Sequence, residues 1–181
     1  MEGMIDLNDM SQWDHPVFPV AVAAQASMVA PGTLRMWFVR ERITLKAGEF
    51  DPGTDAEKAG LPRLLTFRTV LTIAAAAALV RTGTDVAVAY EAAKEWTWFG
   101  EGWNGQGPCP RDPACLFELP SFTFLIHRGG PFAKVVKGNP APDYPDLFAG
   151  GNPVPPSPTI VHLNYIDKYV RGVCEGFLRD A

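Results

Sequence analysis

The chain has 181 residues, of which 47% are hydrophobic and 20% charged, and this composition excludes an intrinsically disordered protein because it supplies enough apolar residues for a core. The longest apolar run, residues 70–80, is about half as long as a bilayer-spanning helix, and the acidic start MEGMIDLNDM lacks the cationic lead of a secretory signal. Three cysteines exclude a dense disulfide scaffold. We therefore expect a cytoplasmic protein with reduced thiols and no membrane contact.

The net charge of −4 argues against a nucleic-acid partner until its distribution along the chain is considered. Residues 1–16 carry four acidic side chains and no Lys or Arg, residues 17–82 have a balance of +3, and residues 83–181 have a balance of −3. The positive segment permits contact with phosphate groups without requiring it.

Two short helices are predicted after a flexible acidic arm over residues 1–16. Residues 20–26 are rich in alanine and favour the first helix, and the sequence APGT at 30–33 predicts a turn before a second helix over 33–42. In that helix Leu34, Trp37 and Phe38 fall at i, i+3 and i+4 and face a core, whereas its arginines project elsewhere. Two short helices joined by a tight turn are typical of a helix-turn-helix.

The next segment predicts a long loop followed by two alanine-rich helices. Residues 44–62 are rich in Gly, Pro and charge, which favours an extended loop or a β-hairpin with an insertion. A short strand over 64–67 follows, and Thr66 is positioned to cap a helix over 67–81 that ends near Gly83. Thr84 or Asp85 then caps a helix over 86–96.

From residue 100 the chain changes to a Gly/Pro-rich segment and then to a pattern of alternating residues. Residues 121–127 alternate as a strand, a turn follows at 128–131, and residues 132–136 return as the hairpin partner. A proline-rich loop over 138–158 leads to an amphipathic helix over 160–178. That helix is expected either to dock on its own domain or to pair with a second subunit.

Three segments together resemble the winged helix-turn-helix domain of the MerR family over about residues 17–96. They are Ala30-Pro31-Gly32-Thr33-Leu34-Arg35-Met36-Trp37-Phe38, residues 65–70 and residues 79–89. The resemblance implies a recognition helix at about 31–42 in the major groove and a wing at about 44–66. It also implies that Thr33 and Arg35 lie over base edges and phosphates and that basic residues of the helix end and wing hold the DNA backbone. The full set of expected DNA-binding residues is Thr33, Arg35, Trp37, Arg40, Arg42, Lys46, Arg63 and Arg68.

Other motifs give weaker indications. Cys109 and Cys115 have five residues between them and no neighbouring ligand to complete a tetrahedral site, so a soft-metal sensor is a minor alternative to passive loop cysteines, and no metal or cofactor is expected. Cys174 is expected to be a small buried side chain. The three histidines, at positions 15, 127 and 162, have no adjacent nucleophile and carboxylate, and no phosphate-binding glycine loop is present, so we do not expect an enzyme.

The tryptophans and phenylalanine at 96, 98, 99 and 103 favour interior packing, with an aromatic ligand pocket as the alternative. The predicted fold is α+β and mainly helical: an arm at 1–16, a MerR-like domain at 17–99, and a small C-terminal module at 100–181 with a β-hairpin and a terminal helix. The predicted function is sequence-specific binding of double-stranded DNA by a homodimeric transcriptional regulator. The alternative is a protein-binding module, an antitoxin or an adaptor, that uses the aromatic C-terminal half.

Overall fold

The computed structural model describes residues 5–45, 64–100, 111–130, 133–138 and 158–180. Within them the protein is an α+β fold, which confirms the predicted class. The helices are α1 (Val20–Ala26), α2 (Pro31–Val39), α3 (Phe67–Val80), α4 (Val86–Thr97) and α5 (Leu163–Asp180). The strands are β1 (Phe18–Pro19), β2 (Leu64–Leu65), β3 (Phe122–His127), β4 (Ala133–Gly138) and β5 (Thr159–His162).

The chain divides into two compact units that do not follow the predicted domain boundary at residues 99 and 100. The first unit comprises Met1–Ala74 and Asp167–Ala181, and the second comprises Ala75–Ile166. Helix α4 packs against strands β3 and β4 within the second unit, with its apolar face toward the sheet that these two strands form.

Local capping chemistry sets the ends of α3 and α4 as the sequence predicted. The Thr66 hydroxyl accepts a hydrogen bond from the Thr69 N–H at 3.1 Å at the start of α3. Gly83 follows the end of that helix with a φ of 97°, a conformation that glycine adopts without steric cost. The Asp85 carboxylate then accepts from the Ala87 N–H at 2.9 Å and begins α4.

The second unit contains a three-stranded antiparallel sheet in the order β4-β3-β5. The predicted hairpin is present, with Phe122 opposite Gly138 and His127 opposite Ala133. Strand β5 corrects the prediction of a helix from residue 160, because the β-branched residues 159–161 pair with β3 and the helix begins only at Leu163.

Residues 5–16 belong to the folded first unit and do not form the flexible arm that their polar composition predicted. Leu7 and Trp13 are buried, and the Trp13 indole N–H donates to the Leu7 carbonyl at 2.8 Å. A short 3₁₀ turn lies between them at Met10–Gln12. Burial of these two apolar side chains contributes to holding the segment against the core, since each removes a large apolar surface from water.

The C-terminal helix α5 docks on its own unit from Asp167 onward, the first of the two alternatives that its amphipathic pattern left open. Val170 and Cys174 are fully buried, and Phe177 lies with its ring centroid 6.0 Å from that of Phe18. Burial raises the pKa of the Cys174 thiol to about 12, consistent with the expected small buried side chain.

Candidate nucleic-acid interface

Helix α1 ends in a tight hydrogen-bonded turn. Met28 donates its N–H to the Gln25 carbonyl and Val29 donates its N–H to the Ala24 carbonyl, both at 3.0 Å. Met28 has a φ of 53°, in the left-handed region. This combination is a Schellman motif, a helix ending that most often carries glycine at the left-handed position. It lets a four-residue turn, residues 27–30, connect α1 to α2.

Helix α2 begins at Pro31, whose missing N–H costs nothing in the first turn of a helix. It ends in the same way as α1. Glu41 has a φ of 53° and donates its N–H to the Phe38 carbonyl at 3.1 Å, and Arg42 donates to the Trp37 carbonyl at 2.9 Å. Both ends of this nine-residue helix are therefore fixed by backbone geometry.

The two sides of α2 differ sharply in burial. Leu34 and Trp37 are buried on the inner side, and α2 packs against α1. A helix advances by about 100° per residue, so Gly32, Met36 and Val39 share the opposite side. All three are exposed to solvent. We call these three positions the outer row of α2.

Arginine side chains flank the outer row. The helical period places Arg35 on one side of it and Arg40 on the other, and both are exposed. Residues 17–45 contain three arginines and a single acidic residue, Glu41, so this part of the first unit has a net charge of +2. The predicted contact residues of α2 and its end that the structure leaves exposed are Thr33, Arg35, Arg40 and Arg42.

The structure removes Trp37 from the set of predicted DNA-binding residues. Its side chain lies on the inner side of α2 with Leu34 and is 9% exposed, because an indole at that position contributes more by covering the core than by facing water. Trp37 is a core residue of the helix-turn-helix segment.

Arg68, another residue of that set, lies outside the helix-turn-helix segment and pairs with an acidic side chain. Its Nε lies 2.7 Å from Oδ1 of Asp14 and its Nη2 lies 3.1 Å from Oδ2, a two-pronged arrangement that matches the fork of the arginine side chain. Sequence reasoning missed this pair because it placed Asp14 in a flexible arm.

The predicted wing is only partly within the described residues. Strand β2 is present, but its partner is β1, which precedes α1, with Phe18 opposite Leu65. Lys46 and Arg63 lie outside the described residues, as does most of the predicted wing at 44–66.

Arg171 on α5 is, like Arg68, an arginine of the first unit that pairs with other groups of that unit. It holds the N-terminal segment in place. Its Nη1 donates to the Leu7 carbonyl at 2.6 Å, and its guanidinium lies 5.0 Å from the Trp13 ring centroid. Its Nε also pairs with Oδ2 of Asp167 at 2.9 Å. Burial raises the pKa of Asp167, and the hydrogen bond from Arg171 acts in the opposite direction. This network has a structural role, and no short sequence motif predicts it.

In the second unit, the described part of the cysteine-containing segment closes the end of α4. Arg111 is buried and donates to the carbonyls of Trp96 at 3.0 Å and Phe99 at 2.7 Å. The Trp96 indole donates to the Cys115 carbonyl at 3.0 Å, and Cys115 itself is half-buried. Cys109 lies outside the described residues, and among those described no cluster of His, Cys, Asp and Glu has the geometry to hold a metal ion.

The aromatic and histidine side chains of the second unit are placed individually. Trp96 is fully buried and Phe99 is exposed, while Trp103 lies outside the described residues. The His127 ring Nε2 lies 2.7 Å from the Gly130 carbonyl in the β3–β4 turn, whereas His162 packs beside Phe122 and Phe124 on the sheet. Interior packing is therefore the role of Trp96, as the sequence favoured.

The chain matches no model of a known protein family, and a search of curated proteins gives no match. None of the helices in the part of the chain that the structure describes has the length and apolar character needed to span a membrane.

Proposed function

We propose that this protein binds double-stranded DNA in a sequence-specific manner through α2 and regulates transcription. The observation that carries the proposal is the α1–turn–α2 segment, in which helices of seven and nine residues are joined by a four-residue turn. One side of α2 is buried and the other faces solvent with Arg35 exposed. A recognition helix in a helix-turn-helix protein needs this division, because the buried side fixes the helix while the other enters the major groove.

The distribution of charge supports the same proposal. Arg40 and Arg42 lie at the end of α2, where contact with phosphates on the DNA backbone positions a recognition helix. Arg35 lies within the helix, where its guanidinium has the geometry to donate two hydrogen bonds to a guanine edge. The overall charge of −4 does not oppose this assignment, because binding depends on the local field at the contact surface.

The proposal includes a dimer and the MerR-like fold that the sequence resembles. Helix-turn-helix dimers place two recognition helices about 34 Å apart, one turn of DNA, so the binding site would contain two half-sites related by two-fold symmetry. Sedimentation of the protein with and without a selected duplex tests the stoichiometry.

The first experiment is selection of bound sequences from a pool of random duplex DNA, followed by a salt titration on a selected duplex. We expect a two-fold motif and an affinity that falls with salt by about 0.9 log unit per log unit of salt for each phosphate contacted. Arg35→Ala should lower affinity for the selected duplex about 5- to 150-fold, the equivalent of about 1 to 3 kcal/mol, by removing a bidentate base contact.

Arg179→Ala is the matched control, since it removes the same charge from an exposed position near the end of α5. It should leave the binding of the selected sequence almost unchanged. An equal loss in both variants would mean that affinity follows net charge alone and would remove α2 as the recognition helix. Arg40→Ala should weaken binding to all sequences similarly and reduce the salt slope by about 1.

A second candidate function, protein binding, is favoured by one specific observation in the second unit. Phe122 and Ile160 are each 38% exposed, and their register places them on the same face of the β4-β3-β5 sheet. The double variant Phe122→Ser with Ile160→Ser tests this candidate. A purified protein that binds the wild type directly but not the double variant supports it, and equal binding of both contradicts it.

A further inference from the structure

The outer row of α2 is apolar although it faces water. Met36 is 40% exposed and Val39 is 73% exposed, and the outer row begins with Gly32. Single exposed apolar residues are common on protein surfaces, but here two occupy adjacent turns on one side of one helix. This side is the one that a recognition helix presents to DNA.

The charges beside the outer row favour one kind of partner. Arg35 and Arg40 are exposed and lie on opposite sides of it, so the surface is an apolar strip between two cations. The major groove has the complementary arrangement, with phosphates along both walls and base edges on its floor. The thymine C5-methyl is the one apolar group that base pairs present on this floor.

Gly32 leaves the first position of the outer row without a side chain. A Cβ built at this position would meet no atom within 4 Å, so packing inside the protein does not require glycine there. Glycine is less favourable than alanine in a helix, because its backbone loses more conformational freedom on folding. The glycine leaves the backbone at the start of the outer row accessible to another molecule.

We infer that Met36 and Val39 recognise thymine by packing against its C5-methyl group in the major groove, while Arg35 and Arg40 flank them. This inference rests on the proposed function and deepens it, because it assigns base preference to two residues that the family resemblance did not single out. The selected sequences should accordingly carry A·T pairs at fixed positions within each half-site.

The test compares a selected duplex with the same duplex in which deoxyuridine replaces thymidine at one position at a time. Deoxyuridine keeps the base pairing and removes only the methyl group. The wild type should lose affinity about fourfold at each contacted position, which corresponds to about 0.8 kcal/mol for a buried methyl-sized group. Met36→Gln and Val39→Ser should each abolish the difference between thymine and uracil at one position and leave the other unchanged.

Met10→Gln is the matched control, because Met10 is 42% exposed and lies outside α2. It should keep the full preference for thymine. Tight binding of the selected duplex with equal affinity for thymine and uracil at every position would overturn the inference and leave DNA binding intact. Absence of binding to any duplex at low salt would overturn the proposed function and the inference with it. Conversion of a dimer to a monomer by Met36→Gln would identify the outer row as a contact between copies and overturn the inference as well.

Discussion

Arginine has opposite roles in two regions of this chain. Arg35 on α2 and Arg40 just after it are exposed, whereas at the end of α4 Arg111 is buried and donates hydrogen bonds to backbone carbonyls. The last carbonyls of a helix have no partner within it and carry partial negative charge, so a buried guanidinium is stable there. Counting basic residues along the sequence does not separate these two cases, because burial decides which role an arginine has.

The largest expected difference between the buried and the exposed arginines is in their contribution to stability. Arg111→Ala should lower the free energy of unfolding by about 1.5 to 3 kcal/mol, because it removes charge-assisted hydrogen bonds to backbone carbonyls, although the Trp96 carbonyl keeps the Ala114 N–H as a second donor at 2.8 Å. Arg35→Ala, the same change on an exposed helix surface, should alter it by less than about 0.5 kcal/mol. Urea denaturation of both variants measures the difference.

Arg111→Lys keeps this prediction testable if the alanine variant does not fold. An ammonium group has three donors where the guanidinium has five, so its loss of stability should lie between those of Arg111→Ala and Arg35→Ala. Equal stability of Arg111→Lys and the wild type would show that the charge alone, and not the set of carbonyl contacts, stabilises the end of α4.

The elements of the fold that follow local chemistry could be predicted from the sequence. Thr66 and Asp85 cap α3 and α4 as expected, because a cap needs only a side-chain oxygen beside the first turn. Strand β5 was not predicted, because its existence depends on pairing with β3, a partner more than thirty residues earlier in the chain. The location of Arg68 in a pair with Asp14 was missed for the same reason, since 54 positions separate the two residues.

At the candidate site, too, the sequence predicted what depends on local pattern and missed what depends on contacts between distant residues. The exposed arginines of α2 followed from helical periodicity, which also placed Leu34 and Trp37 inside. Trp37 is nevertheless among the predicted DNA contacts, because a family resemblance marks positions and does not report burial. The fold of residues 5–16 depends on Arg171, 164 positions away from Leu7. Contacts of that range have no local signal in the sequence.

A smaller effect is expected at Gly32, where stability and binding should change in opposite directions. Gly32→Ala should raise the free energy of unfolding by about 0.5 to 1 kcal/mol, since the new methyl group meets no atom within 4 Å. It should at the same time lower DNA affinity, because in the proposed complex the methyl group would lie where α2 approaches the groove. Thermal unfolding and titration with a selected duplex measure the two effects.

Gly172→Ala provides the matched control for this change. Gly172 lies on α5, and a Cβ there also meets no atom within 4 Å. The control should gain similar stability without any change in DNA affinity. If Gly32→Ala retained full affinity, close approach of the helix start to DNA would be excluded.

The smallest expected effects concern the two Schellman motifs, which share one backbone geometry and differ in charge. Met28 and Glu41 both have a φ of 53°, and a left-handed conformation costs about 1 to 2 kcal/mol for a residue with a side chain. Replacement by glycine removes this cost, but part of the gain in stability is lost to the greater flexibility of glycine in the unfolded chain. Met28→Gly and Glu41→Gly should therefore each stabilise the fold by about 0.5 kcal/mol.

Only Glu41→Gly also removes a negative charge from between Arg40 and Arg42. It should therefore raise DNA affinity at low salt, and the gain should disappear as salt screens the field, whereas Met28→Gly should leave affinity unchanged at every salt concentration. The same gain in both variants would assign the effect to helix geometry and would argue against a phosphate contact at the end of α2.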